Sequence, residues 1–150
     1  MAKIRPFQPY RYTPAAGELN HLVTQPYDKI SPQMQKRYQS LSPYNLVRVI
    51  LGDRFETDSD TDNCYTRAAA YFEKWIAEGV LAQESEPVIL AYSQEFTLPD
   101  SGERATRHGF IALGKVEDYS AEVVYRHEHT LAGPKKDRME VLKATHAHFG

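Results

Sequence analysis

Asn63-Cys64-Tyr65-Thr66-Arg67-Ala68-Ala69-Ala70-Tyr71-Phe72-Glu73-Lys74-Trp75-Ile76-Ala77-Glu78-Gly79 carries the strongest periodicity in the chain. Tyr65, Ala68, Ala69, Phe72, Trp75 and Ile76 recur at helical spacing and form one apolar stripe, so the segment predicts an amphipathic helix over 63–78. Gly79 is a natural stop. The polar, acidic stretch Asp53–Asp62 before it reads as a surface loop, and one of its last aspartates is expected to cap the helix. Downstream the period changes from 3.6 to two. In Val88–Leu98 the residues Val88, Leu90, Tyr92, Phe96 and Leu98 share a face. Pro99-Asp100-Ser101-Gly102 makes a turn, and Ala105–Val116 returns as a strand. That return strand is apolar on both faces, which predicts burial between layers.

Working outward, Ser31-Pro32 opens a helix expected to run to Gln39, with serine as cap and proline in the first turn. Asn45–Leu51 reads as a central strand: Val47, Val49 and Leu51 on one face, Leu46, Arg48 and Ile50 on the other. Phe7–Tyr12 is expected as an edge strand or wrap, Leu22–Thr24 and Glu122–Tyr125 as short strands, and 134–145 as a final helix. This order predicts an α+β fold, a mixed or antiparallel sheet with flanking helices. Residues 1–150 are expected to form one N-terminal α+β domain or a fragment of a longer protein, truncated at the C-terminus, because Ala144–Gly150 is neither a polar tail nor a clear domain close.

Composition narrows the function classes. The 150 residues carry 18 Lys and Arg against 20 Asp and Glu, a formal charge of -2, so no long-range field collects nucleic acid or anionic membrane. No apolar run is long enough to span a bilayer, and because no hydrophobic stretch follows Met1–Pro6 no secretory signal is expected. A cytoplasmic location is the expectation. Cys64 is the single cysteine, which removes an intrachain disulfide and a multi-thiolate zinc site. Glu103–Arg107 is basic but short and lacks stacking aromatics, so nucleic acid is an unlikely partner.

The densest group of reactive side chains is Arg126, His127, Glu128, His129, Thr130, Lys135, Lys136, Asp137 and Arg138. In an extended 125–130 segment, His127 and His129 share a face and Glu128 takes the other, which argues against a metal triad made from neighbours. Gly133-Pro134 opens a helix whose free amides favour an anion, and Lys135 and Arg138, three apart, share a helical face. Arg126, Lys135 and Arg138 are then phosphate clamps. Glu128 or Asp137 is a candidate general base or Mg2+ ligand, with His127 assisting. The competing reading is a solvated charged turn with local salt bridges. A second group, Asp28, Asn45 and Arg48, lies at element ends that commonly border clefts.

Several stretches together resemble the prokaryotic domain-of-unknown-function family 1015. They are Pro26-Tyr27-Asp28-Lys29-Ile30-Ser31-Pro32, Ser42-Pro43-Tyr44-Asn45-Leu46-Val47-Arg48, Arg107-His108-Gly109-Phe110-Ile111-Ala112, Arg126-His127-Glu128-His129-Thr130 and Gly133-Pro134-Lys135-Lys136-Asp137-Arg138. The likeness extends through Tyr71–Gly79 and Gln94-Glu95-Phe96. Members are longer, around 400 residues, and typically have an apolar residue where this chain has Lys29. The resemblance marks Arg126, His127, Glu128, Thr130, Lys135, Asp137 and Arg138 as carry-over candidates without a settled catalytic assignment. More loosely the chain resembles the ParB-like group and a free-serine kinase of that fold, and family genes tend to lie near serine-biosynthesis genes. These likenesses imply a ParB-like arrangement and phosphate chemistry on a small phosphorylated metabolite or nucleotide, with Mg2+ accompanying the nucleotide. They also imply the alternative of a non-catalytic, nucleotide-regulated or DNA-associated module. A structural fragment without activity is the third expectation.

Overall fold

A computed structural model describes residues 1–125 and 132–149. In chain order the elements are β1 (Ile4–Arg5), β2 (Tyr10–Tyr12), α1 (Pro32–Leu41), α2 (Val47–Ile50), α3 (Cys64–Ala77), β3 (Leu81–Gln83), β4 (Leu90–Thr97), β5 (Arg104–Ile111), β6 (Leu113–Gly114) and α4 (Ala132–Thr145). The strands form three two-stranded pairs, β1–β6, β2–β3 and β4–β5. The fold class is α+β, as the order of periodicities predicts. Although no linker is legible in the sequence, the chain makes two compact units: Met1–Tyr10 with Gln83–Glu128, and Arg11–Ala82 with His129–Gly150.

The helical unit is built on α3. Its cap is Asn63 rather than an aspartate of the preceding loop. The Asn63 side chain accepts from the amides of Tyr65 and Thr66 at 3.0 and 3.1 Å, and the Thr66 hydroxyl accepts from the Asn63 amide at 2.9 Å. This reciprocal arrangement satisfies donors that a helix start leaves free. At the other end Gly79 adopts φ 69°, and Val80 N–H donates to Trp75 O at 2.9 Å, closing the last turn. The apolar stripe of α3 becomes the core: Ala68, Phe72 and Trp75 are buried with Ala16, Leu22, Val49, Val80 and Leu81. Trp75 is 1% exposed, and the rings of Tyr12, Tyr44 and Tyr71 each lie 6.2 Å from its own. Truncating such a side chain costs roughly 3–5 kcal/mol, so this aromatic cluster anchors the unit.

Helix α1 begins where Ser31-Pro32 predicts: the Ser31 hydroxyl accepts from Met34 N–H at 3.3 Å, and Ser42 follows its last residue, two beyond the expected end. The segment expected as a central strand is a helix. Val47 N–H donates to the Asn45 side chain at 3.0 Å, Leu46 N–H donates to Leu22 O at 2.8 Å, and Ile50 and Leu51 N–H donate to the carbonyls four residues back. A short apolar run reads alike as buried strand or buried helix; here a buried asparagine cap and a contact to a distant carbonyl decide. Leu22–Thr24 is likewise no strand, since the 3-10 turn Leu19–His21 leads into it. Helix α4 starts at Ala132, so Gly133 and Pro134 lie inside its first turn rather than ahead of it.

In the other unit β4 and β5 pair antiparallel from Leu90 opposite Ile111 to Thr97 opposite Arg104. Gly102, at φ 71°, closes the expected turn, with its N–H donating to Leu98 O at 2.9 Å. The return strand breaks at Ala112, and β6 pairs with β1 instead of continuing along β4. Its expected burial between layers does not hold. Phe110 is 60% exposed and Ile111 50%; among the described residues β5 pairs with β4 alone. Within Phe7–Tyr12, Tyr10–Tyr12 forms β2, paired with β3, and Phe7 adds an isolated bridge to Val88. Residues 122–124 form bends after the 3-10 turn Tyr119–Ala121, and Glu122–Tyr125 is not a strand.

Candidate functional site

The sequence-predicted residues fall into three groups. Arg126, His127, Glu128 and Thr130 lie outside the described residues. Asp137, Arg138 and Lys135 lie on α4. Asp28, Asn45 and Arg48 lie around α1 and α2.

Helix α4 carries Asp137 into a network of cations. Its carboxylate accepts from the Tyr65 hydroxyl at 2.9 Å, from Arg54 Nη2 at 2.8 Å and from the Arg138 guanidinium. Burial works to raise the Asp137 carboxyl, but hydrogen bonds from Arg138 and Tyr65 and the charges of Arg138 and Arg54 outweigh it, holding it below the ordinary carboxylate range. Desolvation pushes the Cys64 thiol and the Tyr65 phenol upward in the same neighbourhood. Arg138 is further engaged: it donates to Ile50 O, and its guanidinium carbon lies 4.1 Å from the centre of the Tyr27 ring. One side chain thereby ties α4 to the end of α2 and to the turn at Tyr27–Lys29. Lys135, three residues earlier, is exposed on the first turn. Arg138 and Lys135 thus do not act as an equivalent pair: one is committed to protein partners and the other faces solvent. The acid–base chemistry open to Asp137 is restricted in the same way, because a carboxylate so stabilised is a weak base.

Asn45 is a structural residue. It is fully buried, its Nδ2 donates to His21 O at 2.8 Å, and its Oδ1 caps α2. Asp28 is exposed in the turn at Tyr27–Lys29.

Arg48 differs from all of these. It lines a cleft of about 70 Å³ with Gln39 of α1, Gly52, Asp53 and Phe55 of the following loop, and Arg67 and Tyr71 of α3. Its Nη2 donates to Gln39 O at 2.8 Å, and its guanidinium lies 5.8 Å from the Tyr71 ring centre. Among the described residues no carboxylate pairs with it, and its Nε is buried without a hydrogen-bond partner. The neighbouring cation is in the opposite state. Arg67 donates to Asp58 and Asp62 at 2.7 Å each and to Asp53 O at 2.9 Å, and stacks 4.7 Å over Phe55. Asp53 itself accepts from Gln39 at 2.9 Å. Gly52 makes a close approach: a Cβ there would lie 3.3 Å from the carbonyl oxygens of Arg48 and Cys64. Sequence reasoning singled out Arg48 but missed Arg54, Tyr65, Arg67 and Gln39. They come from α1, the loop after α2 and α3, and only the helical position of Arg67, following Asp58 and Asp62, hinted at a pairing.

Among the described residues no group of three or more His, Cys, Asp or Glu is placed to hold a metal ion, and no helix is long and apolar enough to cross a membrane. A family model described as "Protein of unknown function (DUF1015)" matches residues 4–150. No curated protein and no solved structure matches the chain.

Proposed function

We propose, from the premise that this chain belongs to the DUF1015 family, that its helical unit binds the phosphate group of a small phosphorylated metabolite or nucleotide in the Arg48 cleft. The observation carrying this reading is the state of the Arg48 guanidinium. A half-buried cation without a carboxylate, with one nitrogen shielded and unpaired, costs free energy that a bound oxyanion recovers. The fork geometry of arginine suits phosphate and carboxylate oxygens. About 70 Å³ holds more than one water, room enough for a tetrahedral oxyanion; the remainder of the ligand would extend outside. With a nucleotide, Mg2+ would arrive on the phosphate oxygens, as that ion normally does. Transfer of the phosphoryl group, the kinase-like extension of this reading, would rest on His127 and Glu128 as acid–base groups and on Arg126, Thr130 and Lys135 as charge partners.

The test is titration of the whole protein with inorganic phosphate, phosphoserine and ATP plus millimolar Mg2+, read by calorimetry and amide shifts. Saturable binding is expected, with shifts around residues 39, 48, 52 and 71. Arg48→Met should weaken it by roughly tenfold or more, the loss of one charge-assisted contact, while leaving thermal stability unchanged or raised, since it removes an uncompensated charge. Failure of all three ligands to bind, or equal binding by the variant, overturns the proposal.

A further inference from the structure

A separate feature of the strand-built unit is a cationic ladder lining a cavity. β1 and β6 pair antiparallel with Ile4 opposite Gly114 and Arg5 opposite Leu113, and Lys115 N–H donates to Lys3 O at 2.9 Å, extending the ladder by one step. Lys3 therefore stands opposite Lys115, and Arg5, two residues along β1 from Lys3, shares their face. Directly opposed like charges destabilise a ladder. Of the three cations, Lys115 is paired, with Glu117 at 2.9 Å; Lys3 and Arg5 make no ion pair among the described residues. A cavity of about 510 Å³ opens at this ladder, and the same three cations line it beside Ile4, Leu113 and Val116. Ile4 is 52% exposed and Val116 94%. Gly114 keeps the middle of the ladder open, with nothing within 4 Å of where a Cβ would stand.

We propose that this cavity binds a small amphiphilic anion, a molecule with a phosphate or carboxylate head and a hydrocarbon or aromatic body. The volume falls in the range of small-molecule sites, roughly 300–1,000 Å³. The three cations with Leu113 on their own face of the ladder, and Ile4 lining the cavity from the other face, match the two ends of such a ligand. A nucleic acid does not suit this unit: its sequence ranges hold six Lys and Arg against nine Asp and Glu, so the positive charge is local. Charged strand edges also serve to block edge-to-edge aggregation, and that role predicts no saturable ligand.

Octyl phosphate below its micelle concentration, titrated into the whole protein and followed by amide shifts, distinguishes the two. Saturable shifts are expected at residues 3–5 and 113–116, with inorganic phosphate and octanol each binding roughly tenfold or more weaker. Replacing Lys3 and Lys115 together by Gln should weaken octyl phosphate by a similar factor with little loss of thermal stability, because the ladder is held through backbone atoms and the Lys115–Glu117 pair that is lost is screened by solvent. Equal binding by that variant, equal affinity for either half-ligand, shifts confined to other residues, or binding to anionic phospholipid vesicles without binding of the monomer overturns the proposal.

Discussion

Replacing Asp137 by Asn keeps the shape of the side chain and removes the charge that Arg54, Arg138 and Tyr65 converge on. Breaking a fully buried ion pair costs about 3–5 kcal/mol. The Asp137 and Arg138 side chains are each 25% exposed and Arg54 is 62% exposed, so solvent screens part of that and the Arg54 contact adds little. A loss of about 1–3 kcal/mol is the discounted figure. For a unit of fewer than 100 residues that corresponds to a Tm lower by roughly 5–15 °C. The sign of the pH dependence follows from the depressed Asp137 carboxyl. A group whose folded pKa lies below its unfolded value, about 3.9 for aspartate, contributes stability fully above that unfolded value. The contribution is lost as pH falls through the folded value. The gap between wild type and Asp137→Asn should therefore be constant from about pH 7 down to pH 5 and narrow in more acid solution, where the native carboxylate protonates. Calorimetric or circular-dichroism melts across pH 2–7 measure it. A gap absent at neutral pH, or unchanged at the acid extreme, would falsify the account of Asp137 as the charge that neutralises these arginines.

Two further substitutions test the geometry around Arg48. Asn45→Ala leaves His21 O without its buried donor and Val47 N–H without its cap, which should lower stability by about 2–4 kcal/mol; a loss under about 1 kcal/mol in urea titration would show that α2 does not depend on this side chain. Gly52→Ala brings a methyl within 3.3 Å of two backbone carbonyls that cannot rotate aside, so the denaturation midpoint should fall by the equivalent of about 1–2 kcal/mol at unchanged slope; a neutral or stabilising outcome contradicts the close approach.

How far the fold was legible depended on whether its determinants were local. Ser31-Pro32, the stripe of α3, Gly79 and the turn at 99–102 each act within a few residues, and each produced the element expected of it. The cap of α3 was misplaced by one residue because aspartate and asparagine both satisfy a helix start; the Thr66 hydroxyl, completing the capping box, selects Asn63. Asn45–Leu51 failed because its apolar residues fit both periods, while Leu22 O and the buried Asn45 amide, which settle the matter, are invisible to a sliding window. Two-sided apolarity in Ala105–Val116 was taken as a sign of burial, yet the residues of β5 are largely exposed. For the site, Asp137 was read from its neighbours at 135–138, whereas its partners Tyr65 and Arg54 come from 72 and 83 residues away in sequence. The partners that hold Asp137 as a carboxylate therefore lie beyond the reach of any local reading.

The electrostatics of the helical unit then single out one position. Three arginines among the described residues are half-buried: Arg48, Arg67 and Arg138. Arg67 meets Asp58 and Asp62, and Arg138 meets Asp137; in both cases the sequence supplies a carboxylate where desolvation demands one. Arg48 has a carbonyl and an aromatic face instead, although Asp53 lines the same cleft and is hydrogen-bonded to Gln39 rather than to it. A protein stabilised only for its own sake gains from letting Asp53 close on Arg48, or from an apolar residue in its place. Keeping the acid on an amide and leaving the guanidinium without a carboxylate makes physical sense when the missing negative charge arrives with a ligand. The same logic separates Asp137 from Arg48: around Asp137 the arginine charges are met by a carboxylate and fix α4 against α2, while among the described residues Arg48 meets none.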